Sequence, residues 1–336
     1  MSYVRNNIFR NNLSLTVTIV LFVLFFAVGG FTFRGFFSGQ VFANLFIDNA
    51  YLIIIAVGET IVIISGGIDI SVSSVVAFVC MCSAWMLQHG WAPGVVMPLM
   101  LVIGTFGGYL MGYIIYNYNV QPFIATLAGQ FFYRGLCSVI STQSIRIDNP
   151  AYTFISNFQI AITKDTFISI SVVVAIIVVI AASLALKYTK FGRSVYAVGG
   201  NRQSAMLMGL NVRRTSIGVY ALSGFCAALG GLVFSLYTLS GYGLQNIGLE
   251  MDAIAACVIG GTLLTGGVGK VLGSMFGVLI QGVIQTIIIF QGTLSSWWTK
   301  VTVAALLCLF ILLQRVVAIR TEMSRGKGAE AVKKRS

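Results

Sequence analysis

Six ionisable residues interrupt the apolar stretches of this 336-residue chain: Asp48, Glu59, Asp69, Arg134, Glu250 and Asp252, with Lys270 and Lys300 near the ends of two further apolar runs. A charge surrounded by hydrocarbon is costly, so each needs a partner, a helix terminus or a water-filled cavity. Asp69 stands between Gly66-Gly67 and Ser71-Val72-Ser73-Ser74. At such a helix break the carboxylate either caps the helix beginning at Ile70 or faces a polar cavity. Glu59 and Arg134 carry the charges for an ion pair between helices, and Glu250 and Asp252 open an apolar run, where carboxylates favour the positive end of the helix dipole. With the amides of Asn49 and Gln130 and the hydroxyl of Ser71, the candidates for a polar path are Asp48, Asn49, Glu59, Asp69, Ser71, Gln130, Arg134, Glu250 and Asp252.

Other chemistries lack their residues. An intramembrane hydrolase needs a nucleophile beside a base, and the one histidine, His89, sits in a Gly90-Trp91 turn. The six cysteines (Cys80, Cys82, Cys137, Cys226, Cys257 and Cys308) fall in apolar segments without a C-x-x-C spacing, so no disulfide framework, metal site or cofactor is expected. The nearest fragment to a P-loop, Thr265-Gly-Gly-Val-Gly-Lys270, has the wrong spacing, so the chain does not hold ATP through that motif. No catalytic residue is expected.

These side chains must be positioned by membrane helices. The chain is 57% hydrophobic and 9% charged, with a mean hydropathy of +0.93, values that exclude a soluble globular domain. Continuous apolar runs, rather than alternating segments, exclude a membrane β-barrel. Runs of about 20 apolar residues predict an all-α polytopic membrane protein with about ten transmembrane helices, at 13–32, 41–64, 71–88, 95–117, 121–143, 167–186, 215–238, 251–264, 270–291 and 297–314. The first resembles a signal peptide, with Ala27-Val28-Gly29 as a cleavage-like site, but spans continue to residue 315 and it reads as an uncleaved first span. The expected division is a cytoplasmic segment 1–12, a transmembrane body 13–315 and a cytoplasmic basic tail 316–336, disordered after Arg320.

The net charge of +12 flanks these spans and lacks the aromatic platforms that nucleic-acid binding requires. Ten spans place both termini on one side, and fifteen of the 21 Lys and Arg then fall in the N-terminal segment, the 187–214 loop and the tail. By the positive-inside rule these lie in the cytoplasm, whereas 144–166, which holds Arg146, Asp148 and Lys164 and has room for a short helix, lies outside. Within 187–214, Gly199-Gly200 breaks the chain, Asn201 caps a helix from Arg202 to Met208, and Gly209 closes it. This helix has an Ala205/Met206/Leu207/Met208 apolar side, unless the loop is only a basic connector.

Gly58-Glu-Thr60 with Ser65-Gly-Gly-Ile-Asp69 is weakly matched by Gly260-Gly-Thr262 with Thr265-Gly-Gly-Val-Gly269, the pattern of a repeat built on broken helices. Gly104, Gly107, Gly108 and Gly112 on one span, and Gly273, Gly277 and Gly282 on another, suit close helix contact.

The runs Ser65-Gly-Gly-Ile-Asp-Ile-Ser71, Pro122-Phe-Ile-Ala-Thr-Leu127 with Arg134-Gly135, Phe191-Gly-Arg193 to Gly200-Asn201 and Gly209, and Asp252-Ala-Ile-Ala-Ala256 to Ile259-Gly-Gly-Thr262 and Gly266-Gly267 together resemble the permease subunits of ribose-type sugar ABC importers. The likeness is collinear from about residue 40 to 315. Gln143-Ser-Ile-Arg-Ile-Asp-Asn-Pro150 and Gly292-Thr-Leu-Ser-Ser-Trp-Trp-Thr-Lys300 are similar to permeases of galactofuranose importers, and a fructose importer of the same group would look alike.

The resemblance implies a bacterial inner-membrane subunit that is not itself an enzyme and passes a monosaccharide. Its implied partners are a second homologous permease, a tandem-domain ABC ATPase and an extracytoplasmic sugar-binding protein. It further implies that Phe191, Gly192, Arg193, Gly200, Asn201, Arg202, Ala205, Leu207 and Gly209 couple to the ATPase. The chain departs from the family in having Ser73 where many members have Gly, and Ala205-Met206-Leu207 where they have Ala-Ala-Arg. The second departure bears on which ATPase is accepted. A rival reading of the residues alone is an ion-coupled secondary transporter with Asp69 or Glu59 carrying a proton.

Overall fold

The computed structural model describes residues 2–312 except 164, 294 and 296; Lys164 and the expected tail 316–336 lie outside the described residues. The helices are α1 (Ser2–Thr32), α2 (Gly39–Ile64), α3 (Val72–Gln88), α4 (Pro93–Asn117), α5 (Pro122–Ile140), α6 (Pro150–Asn157), α7 (Ile170–Tyr188), α8 (Lys190–Gly200), α9 (Arg202–Leu207), α10 (Val212–Thr238), α11 (Leu249–Ile259), α12 (Val271–Gln291) and α13 (Trp297–Leu312). Their starts are written locally. Pro93, Pro122 and Pro150 open α4, α5 and α6, where the missing proline N–H costs nothing. The side chains of Asn149, Thr189, Asn201 and Asn211 accept first-turn N–H groups of α6, α8, α9 and α10.

Each of the ten expected apolar segments contains a helix, but among the described residues seven have the length and composition to cross a membrane: α2, α4, α5, α7, α10, α12 and the Leu15–Thr32 part of α1. α3 is apolar but shorter, as is the described part of α13. α11 has 11 residues, about 17 Å of rise against a hydrocarbon core of about 30 Å. It is too short to cross alone and ends in a glycine turn.

The break is the same in both halves. α2 ends with Ser65, Gly66 and Gly67, where Gly66 N–H donates to Ile63 O and Gly67 N–H to Val62 O. α11 ends with Gly260, Gly261 and Thr262, where Gly261 N–H donates to Val258 O and Thr262 N–H to Cys257 O. Both are Schellman motifs, with φ of +86° at Gly66 and +88° at Gly261. The repeat is therefore aligned differently from the sequence match. Gly58 lies inside α2, and the counterpart of Gly260-Gly261-Thr262 is Ser65-Gly66-Gly67.

α2 is the central helix, with 83% of its span buried, and α10, α12 and α11 pack around it. The glycines expected to bring helices close do so. A Cβ at Gly108 or Gly224 would collide with the facing backbone of α10 or α4, and one at Gly273 or Gly277 with α11 backbone at Gly260 or Ala256.

The chain is not wholly helical. In the 144–166 region β1 (Ile145–Arg146) pairs with β4 (Ser240–Gly241), and β2 (Gln159–Thr163) forms an antiparallel hairpin with β3 (Thr166–Ser169), beside the short helix α6. Gln-Ile-Ala-Ile-Thr alternates with period two and is rich in β-branched residues, which favours a strand.

Candidate functional site

The expected path residues separate into three groups. The first surrounds the break after α2. Asp69 does not cap the following helix: α3 begins at Val72, its N-cap is Ser71, and that cap has no side-chain bond. Instead Asp69 Oδ1 accepts Ser71 N–H at 3.0 Å and Ser71 Oγ at 2.6 Å, and Oδ2 accepts Ser223 Oγ from α10 at 2.7 Å. The carboxylate ties the turn to itself and to a neighbouring helix. Glu59 Oε1 accepts the Asp69 N–H at 3.2 Å, so one buried carboxylate holds the backbone that carries the other. The expected Glu59–Arg134 ion pair does not form. Glu59 is committed to this turn, and Arg134 donates to the carbonyls of Gly243 and Gln245, at 2.5 and 2.8 Å.

Asp69→Ala is expected to strand three hydrogen-bond donors at a cost of about 1–3 kcal/mol each, less where a hydroxyl finds another partner. Asn keeps an acceptor oxygen for Ser71 and presents an amide that donates to Ser223. Thermal unfolding and transport of the two variants should therefore diverge, with Asp69→Ala impaired and Asp69→Asn near wild type. An inactive Asp69→Asn that remains folded would instead show that the charge is needed.

The second group comprises Arg134, Gln130 and Glu250. Gln130 Nε2 donates to Glu250 Oε1 at 3.2 Å, and with the Arg134 bonds this fastens α5 to the Tyr242–Gly248 loop and the start of α11. Glu250 and Asp252 lie in the first turn of α11, as the dipole argument expects.

The third group lines a cavity of about 310 Å³ beside the N-terminal half of α2. Asn49 and Asp252 reach it, and Asp252 pairs there with Lys300 of α13. Asp48, one residue away, accepts the Tyr237 hydroxyl at 3.2 Å and is not in the wall.

The 187–214 segment departs from expectation in two ways. Gly199-Gly200 does not interrupt it, because both residues belong to α8; the chain turns at Asn201, whose side chain accepts Ser204 N–H at 2.8 Å to start α9. Gly209, with φ of +78°, closes α9. Nor is Ala205–Met208 one apolar side. Ala205 is fully buried against Val198 and Val212, whereas Leu207 is 89% exposed, flanked by exposed Met206 and Met208. Residues two apart on a helix point in nearly opposite directions, so only one can face the core. Phe191 packs on Gly218, Gly192 N–H donates to the Thr189 hydroxyl, Arg193 is exposed, and the Arg202 guanidinium stacks 5.2 Å over the Tyr116 ring.

α8 rests on both helix breaks. Gly267 N–H donates to Ile64 O at 2.8 Å, joining the two broken regions directly. Gly199 lies over this bond so closely that a Cβ would collide with Ile64 O and come within 2.7 Å of Gly267 N. Tyr196, three residues earlier, donates to Gly269 O at 2.9 Å. Gly66, Gly199, Gly266 and Gly267 thus meet backbone to backbone, with φ of +84° and +75° at the last two. Sequence reasoning noted all of these glycines but could not bring them together. It missed Tyr196 and Ser223, whose partners are distant in the chain, and it missed Gln281 and Gln285, two amides one turn apart on an apolar helix, a visible signal.

Residues 41–312 match the family described as branched-chain amino acid transport system, permease component. The chain is 48% identical to the inner membrane ABC transporter permease protein YjfF of Escherichia coli K12, over 93% of this chain and 95% of that one. It is 38% identical to the fructose import permease protein FruG of Bifidobacterium longum, over 92% of each chain, and 33% identical to the ribose import permease protein RbsC of Haemophilus influenzae, over 88% of this chain and 91% of that one. No solved structure matches significantly. With its apolar helices, paired helix breaks and a family match across nearly all of its length, the chain belongs to the permease-component family of ABC transporters.

Proposed function

We infer that this chain is the membrane-spanning permease subunit of an ATP-driven monosaccharide importer. The supporting observation is the seating of α8 on both helix breaks through Gly199 and Tyr196. A push on the 187–214 segment reaches the end of α2 and the Gly266–Gly269 turn between α11 and α12 through the backbone at Gly199, and α2 is the helix around which the bundle is packed. Fructose and ribose permeases among its relatives support a sugar as the solute. The likeness of 143–150 and 292–300 to galactofuranose permeases favours a furanose.

In this reading ATP is hydrolysed by a tandem-domain partner that docks on α9, a second homologous permease completes the path, and an extracytoplasmic binding protein delivers the sugar. α9 moves with the ATPase, α8 carries the motion to the glycine junction, and the two broken spans change their angle to open the body alternately to each side. Asp69 and Glu59 hold the turn together during that motion.

The deciding experiment is uptake into proteoliposomes. The full complex, this chain with the second permease, ATPase and binding protein, is expected to accumulate D-galactose or D-fructose only with ATP inside. Uptake by this chain alone, driven by an ion gradient, would make it a secondary transporter and give Asp69 or Glu59 a proton-carrying role.

The topology proposed with this function has ten spans, counting α3, α11 and α13, in a bacterial inner membrane, with both termini and 187–214 cytoplasmic and the α6–β3 region outside. In a background lacking native cysteines, Gln159→Cys on the hairpin should react with an impermeant thiol reagent added to intact cells, and Gln203→Cys on α9 should not; both positions are exposed. The opposite labelling pattern would invert the orientation.

A further inference from the structure

The cavity of about 310 Å³ lies between α2, the Asn246–Leu249 loop and the start of α11, α12 and α13, on the opposite half of α2 from the glycine junction. Asn49, Asn246, Gln281 and Gln285 put four amide side chains on its wall, and Thr299 adds a hydroxyl. An amide offers a donor and an acceptor side by side, the complement of two neighbouring hydroxyls that each donate and accept. Asn49 and Gln281 are 6% exposed and held in place, with Asn49 Nδ2 donating to Leu45 O at 2.9 Å and Gln281 Nε2 to Asp252 O at 3.0 Å. The amide nitrogen of Asn246 and the Thr299 hydroxyl have no hydrogen-bond partner among the described residues. The charged side chains of the wall, Asp252 and Lys300, bind one another, so the cavity has no net charge with which to hold an ion.

We propose that this cavity is a transit site for an uncharged monosaccharide, bound through its hydroxyls by Asn49, Asn246, Gln281, Gln285 and Thr299. This rests on the reading of the chain as a sugar permease and adds a place and a chemistry to it. The set of neutral amides suits a passing solute: it discriminates polyol from ion without the tight grip that would slow release.

The test uses the complete reconstituted transporter with Thr299→Cys or, separately, Gln285→Cys, each in a background where the exposed Cys308 is serine. The introduced thiol is titrated with a small methanethiosulfonate reagent. D-galactose or D-fructose is expected to slow labelling several-fold at both positions, and D-glucuronate, of similar size but anionic, is expected not to. Gln285→Leu should raise the half-saturating sugar concentration for uptake while the complex keeps its subunits. Equal labelling with and without neutral sugar, no labelling at either position, or protection by D-glucuronate as strong as by D-galactose, in a transporter that still moves sugar, would overturn the site and leave the permease reading intact. A complex that moves no sugar with ATP would remove both.

Discussion

Gly199→Ala is expected to uncouple transport, whereas the adjacent Gly200→Ala is not. At Gly199 a Cβ would overlap the Ile64 carbonyl oxygen, which already accepts the Gly267 N–H, and backbone atoms of two helix breaks cannot turn aside as a side chain can. At Gly200 a Cβ would meet nothing within 4 Å, and alanine is the better helix former. Overpacking of this kind costs about 1–3 kcal/mol. Spent on a two-state junction between loop and spans, that is about 5–150-fold in the equilibrium between the two arrangements. The Gly199→Ala complex should therefore insert and retain its ATPase, yet lose most ATP-driven uptake, while Gly200→Ala transports at the wild-type rate. Equal, wild-type uptake by both would mean that the glycine junction does not carry the coupling. Gly267, with φ of +75°, is a less informative position, because any side chain there is strained before it collides.

Local chemistry was readable in the sequence, and long-range pairing was not. Asn201 and Gly209 marked the ends of α9 because a cap and a left-handed residue are decided by neighbours within four positions. The apolar runs likewise marked the helices, since hydropathy over about 20 residues needs no knowledge of the partner. Glu59 and Arg134 were assigned to each other on charge alone. Their actual partners are backbone groups, the Asp69 N–H and the carbonyls of Gly243 and Gln245, which every residue has and which no composition argument can single out. The repeat was visible but out of register, because Gly58 and Gly66 are both glycines and only the helix end distinguishes the Schellman position from an interior one. Asp69 shows the limit most clearly. The capping role read from its sequence context required a helix starting at Ile70, and with the start two residues later the same carboxylate braces the turn and Ser223.

Leu207→Glu is expected to release the ATPase while leaving the permease folded, and Ala205→Glu is expected to damage the loop itself. From sequence the two positions shared one apolar side. In the fold they are opposites. Ala205 sits at 0% exposure among Val198, Val212 and the partly buried Leu210, Ala197 and Tyr116, where a glutamate would bury a charge without a partner; truncating or stranding such a charge costs about 3–5 kcal/mol. Leu207 stands 89% exposed between two exposed methionines at the tip of a helix of six residues capped at both ends. Glutamate there costs the isolated chain almost nothing. In a complex that covers this tip it would be desolvated unpaired, and a central apolar contact of this kind is where truncation or charge has its largest effect on binding. The measurement is co-purification of the ATPase, ATP-driven uptake, and thermal unfolding of the permease for each variant. Leu207→Glu should lose the first two and keep the third, and Ala205→Glu should lower the unfolding temperature. Arg202→Ala, which removes only a cation over the Tyr116 ring at the rim, should be milder than either. If Leu207→Glu retains the ATPase and transports normally, α9 is not the docking element, and the 187–214 segment is a basic connector whose contacts with the helix breaks serve stability alone.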